Sequence, residues 1–256
     1  MSEVRDSENV IAQTKTGRTD RVVVSGAHLD SVIEGPGIND NGSGSAAQLE
    51  VTQEMAELGI KPVNQVRFIW FGAEEAGLVG SAYYVSQLTK RELKNIAVML
   101  NFDMVGSPNA GWFVYDGDAS DTASTGSGVV EDVFVDFFDS IGRKTEPTAF
   151  DGRSDYDAFV AAGIPAGGLF TGAEEIKTEE QQEKWGGTAG VAFDPCYHQA
   201  CDTFTNVNED ALDEMTDAIA HAILTFAMTT SAVQGTDKGS DNAIYDPTFR
   251  GPRAIK

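Results

Sequence analysis

Short apolar runs alternate along the chain with longer stretches in which apolar residues recur every three or four positions. The runs at 21–27, 66–71, 98–102 and 112–115 are rich in β-branched and aromatic residues, as buried strands are. Helical spacing is shown by Val130, Val133, Phe134, Phe137, Phe138 and Ile141, and again by Leu212, Met215, Ile219, Ile223 and Phe226. Strands that alternate with helices predict an α/β fold, here a three-layer sandwich whose helices flank a mixed, largely parallel sheet.

The pattern predicts one domain from residue 1 to residue 230. The 256 residues, 41% of them hydrophobic, suffice for one sizeable core, and neither an internal repeat nor a linker divides them. Residues 231–256 are polar with scattered Gly and Pro, so we expect a C-terminal tail or a strap over the surface.

Acidic residues dominate the charge of the chain. The 40 Asp and Glu residues outnumber the 18 Lys and Arg residues, and the formal net charge is −22. Such a chain would repel phosphate backbones and anionic membranes, so we expect neither nucleic acid nor a membrane as a partner. No stretch of about 18 apolar residues is present, and the N-terminus lacks the apolar centre of a signal peptide. We therefore expect a soluble protein that is either intracellular or already processed.

Candidate residues of a metal site follow the strand predicted at 21–27. His28 and Asp30 belong to the segment GAHLDS, and a carboxylate near an imidazole can orient it toward a metal. Asp40 lies in GINDNGSGS, just before an Ala-rich helix predicted to begin near Ser43. A structural role for His28 and a helix N-cap role for Asp40 remain alternatives at this point.

Carboxylates also follow the next two predicted strands. Glu74 and Glu75 come after 66–71, where two adjacent negative charges repel each other unless a cation or a proton intervenes. Asp103 is the one charge at the end of 98–102, and a carboxylate at the mouth of a buried strand needs a partner. The alternative for the two glutamates is a solvated helix N-terminus, which favours acids.

His198 lies between the two cysteines of the chain, Cys196 and Cys201. Their spacing lacks the C-x2-C pattern of a metal clip and favours a short disulfide, which points to an oxidising compartment. Together with the residues at the strand ends, the chain offers two histidines and three carboxylates as ligands and one further carboxylate. Such a set is typical of a two-zinc hydrolase.

Six motifs of the chain resemble those of the secreted bacterial double-zinc leucyl aminopeptidases of the zinc exopeptidase superfamily. They are HLDS, GINDNGSGS, GAEEAGLVGS, NFDMVGS, DGRSDY and AFDPCYH, and they occur in the family's order between about Val22 and Phe226. The resemblance implies the zinc exopeptidase fold and the release of apolar residues from the free N-terminus of peptides. The HExxH motif of thermolysin-type peptidases is absent.

The resemblance implies a ligand set for two zinc ions. Asp40 would bridge the ions. His28 and Asp103 would complete one site, and Glu75 and His198 would complete the other. Two Zn²⁺ ions carry four positive charges, and the three ligand carboxylates carry three negative charges. A hydroxide shared by the ions would therefore nearly neutralise the cluster.

Glu74 would be the general base of this reaction. Zinc lowers the pKa of bound water toward ~7, and Glu74 would take the proton and pass it to the leaving amine. In the family, a cis peptide follows the bridging aspartate, so we expect one between Asp40 and Asn41.

Two further residues match family positions around the substrate. Tyr197 corresponds to a tyrosine that stabilises the tetrahedral oxyanion, with a packed aromatic side chain as the alternative. Arg153 resembles an arginine near the free carboxylate of the substrate, with a salt bridge to Asp151 or Asp155 as the alternative.

The resemblance also implies an apolar pocket for the first side chain of the substrate, formed by Met104, Gly152 and Phe170. Burial of an apolar side chain there is worth roughly 1.5–3 kcal/mol, which favours Leu, Met or Phe over charged residues. The free α-amino group would meet a metal or the carboxylates of Glu74 and Asp103. Internal peptide bonds would leave those groups unpaired, so we expect an exopeptidase.

Asp213 and Asp217 lie four positions apart and share a face of the predicted C-terminal helix. The closest type of relative uses such a pair, with an N-terminal segment, to bind Ca²⁺, so calcium is a second candidate cofactor. Because strand-like sequence begins almost at once, we expect the family's N-terminal helical segment to be absent. The tail from Ser231 or a second subunit would then cover the apolar surface left behind. We expect His221 to be solvated.

The sequence thus predicts a secreted, zinc-dependent aminopeptidase that acts on peptides as a monomer or weak homo-oligomer. A carboxypeptidase, a one-zinc glutaminyl cyclase and a non-catalytic binding domain of the same fold remain alternatives, because a fold does not choose its reaction. The complete ligand set and the double-carboxylate turn favour the two-zinc peptidase.

Overall fold

A computed structural model of the chain describes residues 5–118 and 122–233, and these residues form a sheet between two layers of helices. The strands are β1 (Val10–Gln13), β2 (Arg18–His28), β3 (Asn64–Phe71), β4 (Ile96–Phe102), β5 (Phe113–Tyr115), β6 (Glu146–Thr148) and β7 (Ala166–Phe170). The helices are α1 (Gly44–Glu57), α2 (Val79–Gln87), α3 (Lys90–Asn95), α4 (Ser127–Ser140), α5 (Asp157–Ala161), α6 (Glu179–Trp185) and α7 (Glu209–Met228).

The sheet is mixed, with a parallel centre. Its strand order is β1-β3-β2-β4-β7-β5-β6. The neighbouring strands β3, β2, β4 and β7 run parallel to one another, whereas β1 is antiparallel to β3 and β5 is antiparallel to β7. The predicted three-layer α/β sandwich with a mixed, largely parallel sheet is confirmed.

Alternate strand residues face the two helical layers, as the pleat of a strand requires. Val23 and Val98 face the core that holds α1, α4 and α7, whereas the adjacent Val24 and Met99 face the core that holds α2, α3 and α5. Phe134 of α4 is fully buried on the first of these faces. The central strands are therefore covered on both sides, which explains why their sequences are continuously apolar rather than alternating.

The apolar pattern located β2, β3, β4 and β5 and the two long amphipathic helices α4 and α7. It missed the central strand β7, where Gly167 and Gly168 interrupt the apolar run, and the edge strands β1 and β6. The edge strand β1 is four residues long (VIAQ), and its Val10 and Ile11 are about half exposed (53% and 49%), so it lacks the longer apolar run of a buried strand. In the described range, Ser231–Val233 form a single 3-10 turn. The rest of the predicted tail, which runs from 231 to 256, lies outside the described residues. Among the described helices, none combines the length and the hydropathy that a membrane span needs.

The parallel centre brings the ends of three strands to one edge of the sheet. His28 is the last residue of β2, Asp103 follows β4 directly, and Glu74 lies three residues beyond the end of β3. Because β2 lies between β3 and β4, these three polar segments meet where parallel α/β sheets bind their ligands.

Candidate metal centre

The carboxylate of Asp40 lies between two imidazole rings. Its Oδ1 is 3.2 Å from His28 Nε2, and its Oδ2 is 3.1 Å from His198 Nε2. Asp40 itself is buried, with 5% of its surface exposed. One carboxylate thus presents one oxygen to each histidine, which is the arrangement that a ligand shared by two metal ions would have.

Each histidine also faces a second carboxylate. Asp103 Oδ1 is 3.3 Å from His28 Nε2, and Glu75 Oε2 is 3.1 Å from His198 Nε2. The five side chains therefore form two groups of three ligand atoms that share Asp40. The structure brings together all five residues that the sequence singled out as zinc ligands.

The spacing and chemistry of these atoms fit zinc. In a tetrahedral site with zinc bonds of about 2.0–2.1 Å, neighbouring ligand atoms lie about 3.3–3.4 Å apart, close to the separations here. Imidazole nitrogen and carboxylate oxygen are both common zinc ligands. In addition, the buried Glu75 Oε1 has no hydrogen-bond partner among the described residues. A cation beside Glu75 would compensate for this missing hydrogen bond.

The carboxylates give the site an excess of negative charge that raises the pKa of both histidines. Burial lowers the pKa of His28, but Asp103, Asp30 and Asp40 outweigh burial and raise it well above its usual value. Burial likewise opposes protonation of His198, but hydrogen bonds to Asp40 and Glu75 raise its pKa to about 10. For Asp40, burial favours the neutral form and the two histidines reverse this, lowering its pKa to about 2. The site therefore attracts positive charge, and divalent cations would supply it.

Glu74 lies beside the five candidate ligands and in neither group of three. Its side chain is buried, and this burial raises its pKa well above the usual value, with Asp103, Asp155 and Glu75 contributing in the same direction. A carboxyl group with a raised pKa can accept and return a proton near neutral pH.

Asp30 holds the turn that carries the two glutamates. Its Oδ1 accepts a hydrogen bond from the backbone N–H of Glu74 at 2.9 Å, and its Oδ2 accepts one from that of Glu75 at 3.1 Å. His28 Nδ1 is 3.0 Å from the backbone oxygen of Asp30 and 3.7 Å from Asp30 Oδ1. The expectation that the Asp30 carboxylate orients His28 needs adjustment, because the nearer partner is the backbone oxygen and the carboxylate mainly fixes the glutamate turn.

Asp202 holds the turn that carries Asp40, and sequence reasoning missed it. Its two carboxylate oxygens accept the backbone N–H groups of Asn39 at 2.9 Å and Asp40 at 3.1 Å. The N-cap alternative for Asp40 is not observed, because Ser43 is the N-cap residue of α1. The signal available in the sequence was the position of Asp202 directly after Cys201, in the same segment as His198.

A second buried acid, Asp194, connects this turn to the loop of His198. Its Oδ2 accepts from Asn39 Nδ2 at 2.7 Å, and its Oδ1 accepts from the backbone N–H of Cys196 at 2.8 Å. Cys196 and Cys201 form the predicted disulfide, with their Cα atoms 5.3 Å apart. The disulfide and the two acids therefore close the loop that places His198 opposite Asp40.

Unusual backbone conformations cluster at the site. Of the four described non-glycine residues with positive φ angles, three lie at the site: Ala73, Met104 and His198, at 58°, 52° and 56°. The fourth, Leu78 (59°), is the N-cap residue of α2. Such angles are uncommon for residues other than glycine and tend to mark functional sites. Each of the three is a candidate ligand or adjoins a residue of the site. The predicted cis peptide between Asp40 and Asn41 is present.

A cleft opens over these side chains. Met104 and Phe170, two of the three residues predicted to form an apolar pocket, line it together with Arg153 and Tyr197. Gly152 lies in the adjoining turn, where its φ of 79° suits glycine and its N–H donates to the hydroxyl of Tyr156 at 3.0 Å. The Tyr197 ring stacks on the ring of His198, with 3.9 Å between centroids.

Arg153 pairs with acids other than those considered from the sequence. Its guanidinium lies 3.0 Å from Glu174 Oε1 and 3.7 Å from Glu175 Oε1. Asp151 receives the backbone N–H of Arg153 at 3.1 Å, and Asp155 is fully buried. The predicted alternative, a salt bridge to Asp151 or Asp155, is therefore wrong, because the loop after β7 brings two glutamates to the guanidinium.

In the described part of the chain, the fold brings no further ligand group to the calcium site predicted at Asp213 and Asp217. Asp213 and Asp217 are exposed on α7, and neither belongs to a group of three close metal-binding side chains in the described part of the chain. His221 is exposed on the same helix, as expected, with its ring 5.2 Å from that of Phe137.

Known proteins are similar to this chain over most of its length. The profile of peptidase family M28 matches residues 9–223. An aminopeptidase of Pseudomonas aeruginosa is 54% identical over 231 residues, which cover 89% of this chain and 43% of the relative. A probable leucine aminopeptidase 2 of Aspergillus oryzae is 49% identical over 259 residues, which cover 99% of this chain and 52% of the relative.

Solved structures show the same fold. A zinc aminopeptidase from Bacillus subtilis superimposes with a TM-score of 0.70 at 29% identity, over 91% of this chain and 53% of that one. An aminopeptidase from Aneurinibacillus sp. strain AM-1 gives a TM-score of 0.66 at 32% identity, over 84% of this chain and 47% of that one. The chain thus spans about half the length of the relatives it matches.

We expect Asp202→Asn to destabilise the protein. The amide retains one acceptor oxygen but turns its NH₂ group toward a backbone N–H, and a buried donor without an acceptor costs about 1–3 kcal/mol. Urea denaturation in the presence of a chelator should show this loss in the free energy of unfolding. Asp136→Asn, at an exposed position of α4, is the control and should change it by less than about 0.5 kcal/mol. Equal stability of the two variants would show that Asp202 does not hold the Asp40 turn.

Proposed function

Because the chain belongs to peptidase family M28, we propose that it is a zinc-dependent aminopeptidase that removes apolar residues from the free N-terminus of peptides. The observation that carries the proposal is the Asp40 carboxylate, which presents one oxygen to His28 and the other to His198. Relatives named as leucine aminopeptidases support the preference for apolar residues.

Five side chains would hold two zinc ions, with Asp40 shared between them. His28 and Asp103 would complete one site, and Glu75 and His198 would complete the other. Zinc bound in this way supplies Lewis acidity, which makes water a stronger nucleophile and polarises the scissile carbonyl group.

Glu74 would move the proton of the reaction. Its carboxylate would accept a proton from the attacking water and then protonate the amine that leaves. Burial supports this assignment, since it raises the pKa of Glu74 toward the range in which a carboxyl group both takes and gives a proton. The Tyr197 hydroxyl, which also lines the cleft, would donate a hydrogen bond to the oxygen on which charge develops.

Recognition of the substrate would depend on one charged and one apolar feature of the cleft. The carboxylates of Glu74 and Asp103 line it and would bind the protonated α-amino group of a free N-terminus. Met104 and Phe170 would contact an apolar first side chain. An internal peptide bond offers no amino group to these acids, so their desolvation would go uncompensated.

We propose that the protein acts outside the cytoplasm. The Cys196–Cys201 disulfide supports this location, because disulfides persist in oxidising compartments and are rare in the cytosol. A relative named as a probable lipoprotein aminopeptidase of Mycobacterium tuberculosis, 49% identical over 249 residues, is consistent with it.

Metal analysis tests the ligand set. After equilibration with zinc and removal of the excess, the wild-type chain should retain about two ions, whereas Asp40→Ala should retain fewer than one, since both sites lose a ligand. Asp118→Asn is the matched control, because it alters a separate acidic group formed with Asp116 and Glu131. One ion or none in the wild type would contradict the two-zinc proposal and favour a cyclase or a binding domain.

Substitution of the general base separates chemistry from metal binding. Glu74→Gln should retain zinc but lower kcat for leucine p-nitroanilide by at least about 100-fold, because an amide does not accept the proton. Glu50→Gln, at an exposed position of α1, should leave kcat unchanged. Turnover by Glu74→Gln at the wild-type rate would exclude Glu74 as the base.

A blocked substrate tests the requirement for a free N-terminus. We expect N-acetyl-leucine p-nitroanilide to be hydrolysed at least about 100-fold more slowly than leucine p-nitroanilide, because its amide leaves the acids of the cleft without a positively charged partner. Comparable kcat/KM values for the two compounds would show that the enzyme is not restricted to the N-terminus.

A further inference from the structure

We infer that Glu174 and Arg153 form a positioning pair that holds the phenol of Tyr197 with its hydroxyl hydrogen directed into the cleft. The inference rests on the proposed function, in which this hydroxyl donates to the oxygen that becomes negative during hydrolysis. It assigns a role to Glu174, and it gives Arg153 a role that does not require a carboxylate on the substrate.

One guanidinium nitrogen connects the two partners. Arg153 Nη2 donates to Glu174 Oε1 at 3.0 Å and to Glu174 Oε2 at 3.3 Å. The same nitrogen donates to Tyr197 Oη at 3.2 Å. Since a terminal guanidinium nitrogen carries two hydrogens, one serves the carboxylate and the other serves the phenol. Both hydrogens of Nη2 are therefore used within the protein.

These contacts fix the phenol oxygen as a hydrogen-bond acceptor. Arg153 takes one lone pair of Tyr197 Oη, so the Tyr197 hydrogen has to point elsewhere. The Tyr197 ring is held by its stacking on His198, with centroids 3.9 Å apart, and Tyr197 lines the cleft with Glu74. The remaining direction for the hydroxyl hydrogen is toward the space that a substrate would occupy.

The charges around Arg153 argue against a second role as a binding group for a substrate carboxylate. Glu174 and Glu175 both face the guanidinium, so one positive charge is balanced by two negative charges. A carboxylate that approached Arg153 would meet a net negative group. The Arg153 and Glu174 side chains are about half exposed (48% and 52%), so their ion pair adds little to folding stability. Loss of the pair should therefore affect turnover rather than folding.

Leucine p-nitroanilide provides the test, because it has no carboxylate. We expect Arg153→Met to lower kcat about tenfold and Glu174→Gln about threefold, each with KM changed by less than twofold, since the lost contact acts in the transition state. Arg153→Lys should recover part of the loss, because its ammonium group can still donate to the phenol. Zinc content and thermal stability should match those of the wild type.

The decisive comparison is a double-variant cycle. If Arg153 acts through the hydroxyl, Arg153→Met should reduce kcat by less than about twofold in a Tyr197→Phe background, where that hydroxyl is gone. The matched control is Arg18→Met, which removes an exposed Arg18–Asp20 pair at the start of β2, the end of the strand opposite His28. This control should leave kcat and KM unchanged.

Three results would overturn the inference. Additive losses in the double variant would show that Arg153 acts independently of Tyr197. A rise in KM confined to Leu-Leu, which has a free carboxylate, with unchanged anilide turnover would assign Arg153 to the substrate. Both results leave aminopeptidase activity intact. Absence of turnover by the zinc-loaded wild type would instead contradict the proposed function, and the positioning role with it.

Discussion

The position of one buried carboxylate between two imidazole rings constrains the rest of this structure. Asp40 contacts His28, at the end of a central strand, and His198, in a loop far along the chain. Burial of a carboxylate is costly unless positive charge or hydrogen bonds compensate for it, so both segments must reach Asp40 accurately. The parallel sheet positions part of the site, because the adjacent strands β2 and β4 place His28 and Asp103 at the same edge.

The loops that carry the other candidate ligands are positioned by carboxylates that accept hydrogen bonds from backbone N–H groups rather than bind cations. Asp30 accepts the N–H groups of Glu74 and Glu75, and Asp202 accepts those of Asn39 and Asp40. Hydrogen bonds to an ionised carboxylate are stronger than neutral ones, and two from consecutive residues fix the direction of a turn. Part of the large negative charge of the chain therefore serves to hold ligand-bearing loops, in addition to solubility and candidate metal ligation.

The sequence predicted the residues of the site better than the groups that place them. Strand-end positions and family motifs identified His28 and Asp40, because those signals are local in the chain. Asp202 and Glu174 act on residues far away in sequence, and only the packing of loops shows which N–H or guanidinium they meet. The edge strand β1 was missed for a related reason, since it is four residues long and is defined by its backbone pairing with β3 rather than by a long apolar run.

Two adjacent residues of one turn can have different chemical roles when hydrogen bonds hold the backbone of the turn and leave the side chains free to point in different directions. Asp30 holds the N–H groups of both Glu74 and Glu75, which leaves their carboxylates to diverge. Glu75 reaches His198, whereas Glu74 is buried near Asp103 and Asp155, which raises its pKa. Had both carboxylates faced the histidines, neither would have remained free to carry a proton. The separation of the proposed metal ligand from the proposed proton carrier over a single peptide bond therefore depends on Asp30, which belongs to neither group of candidate metal ligands.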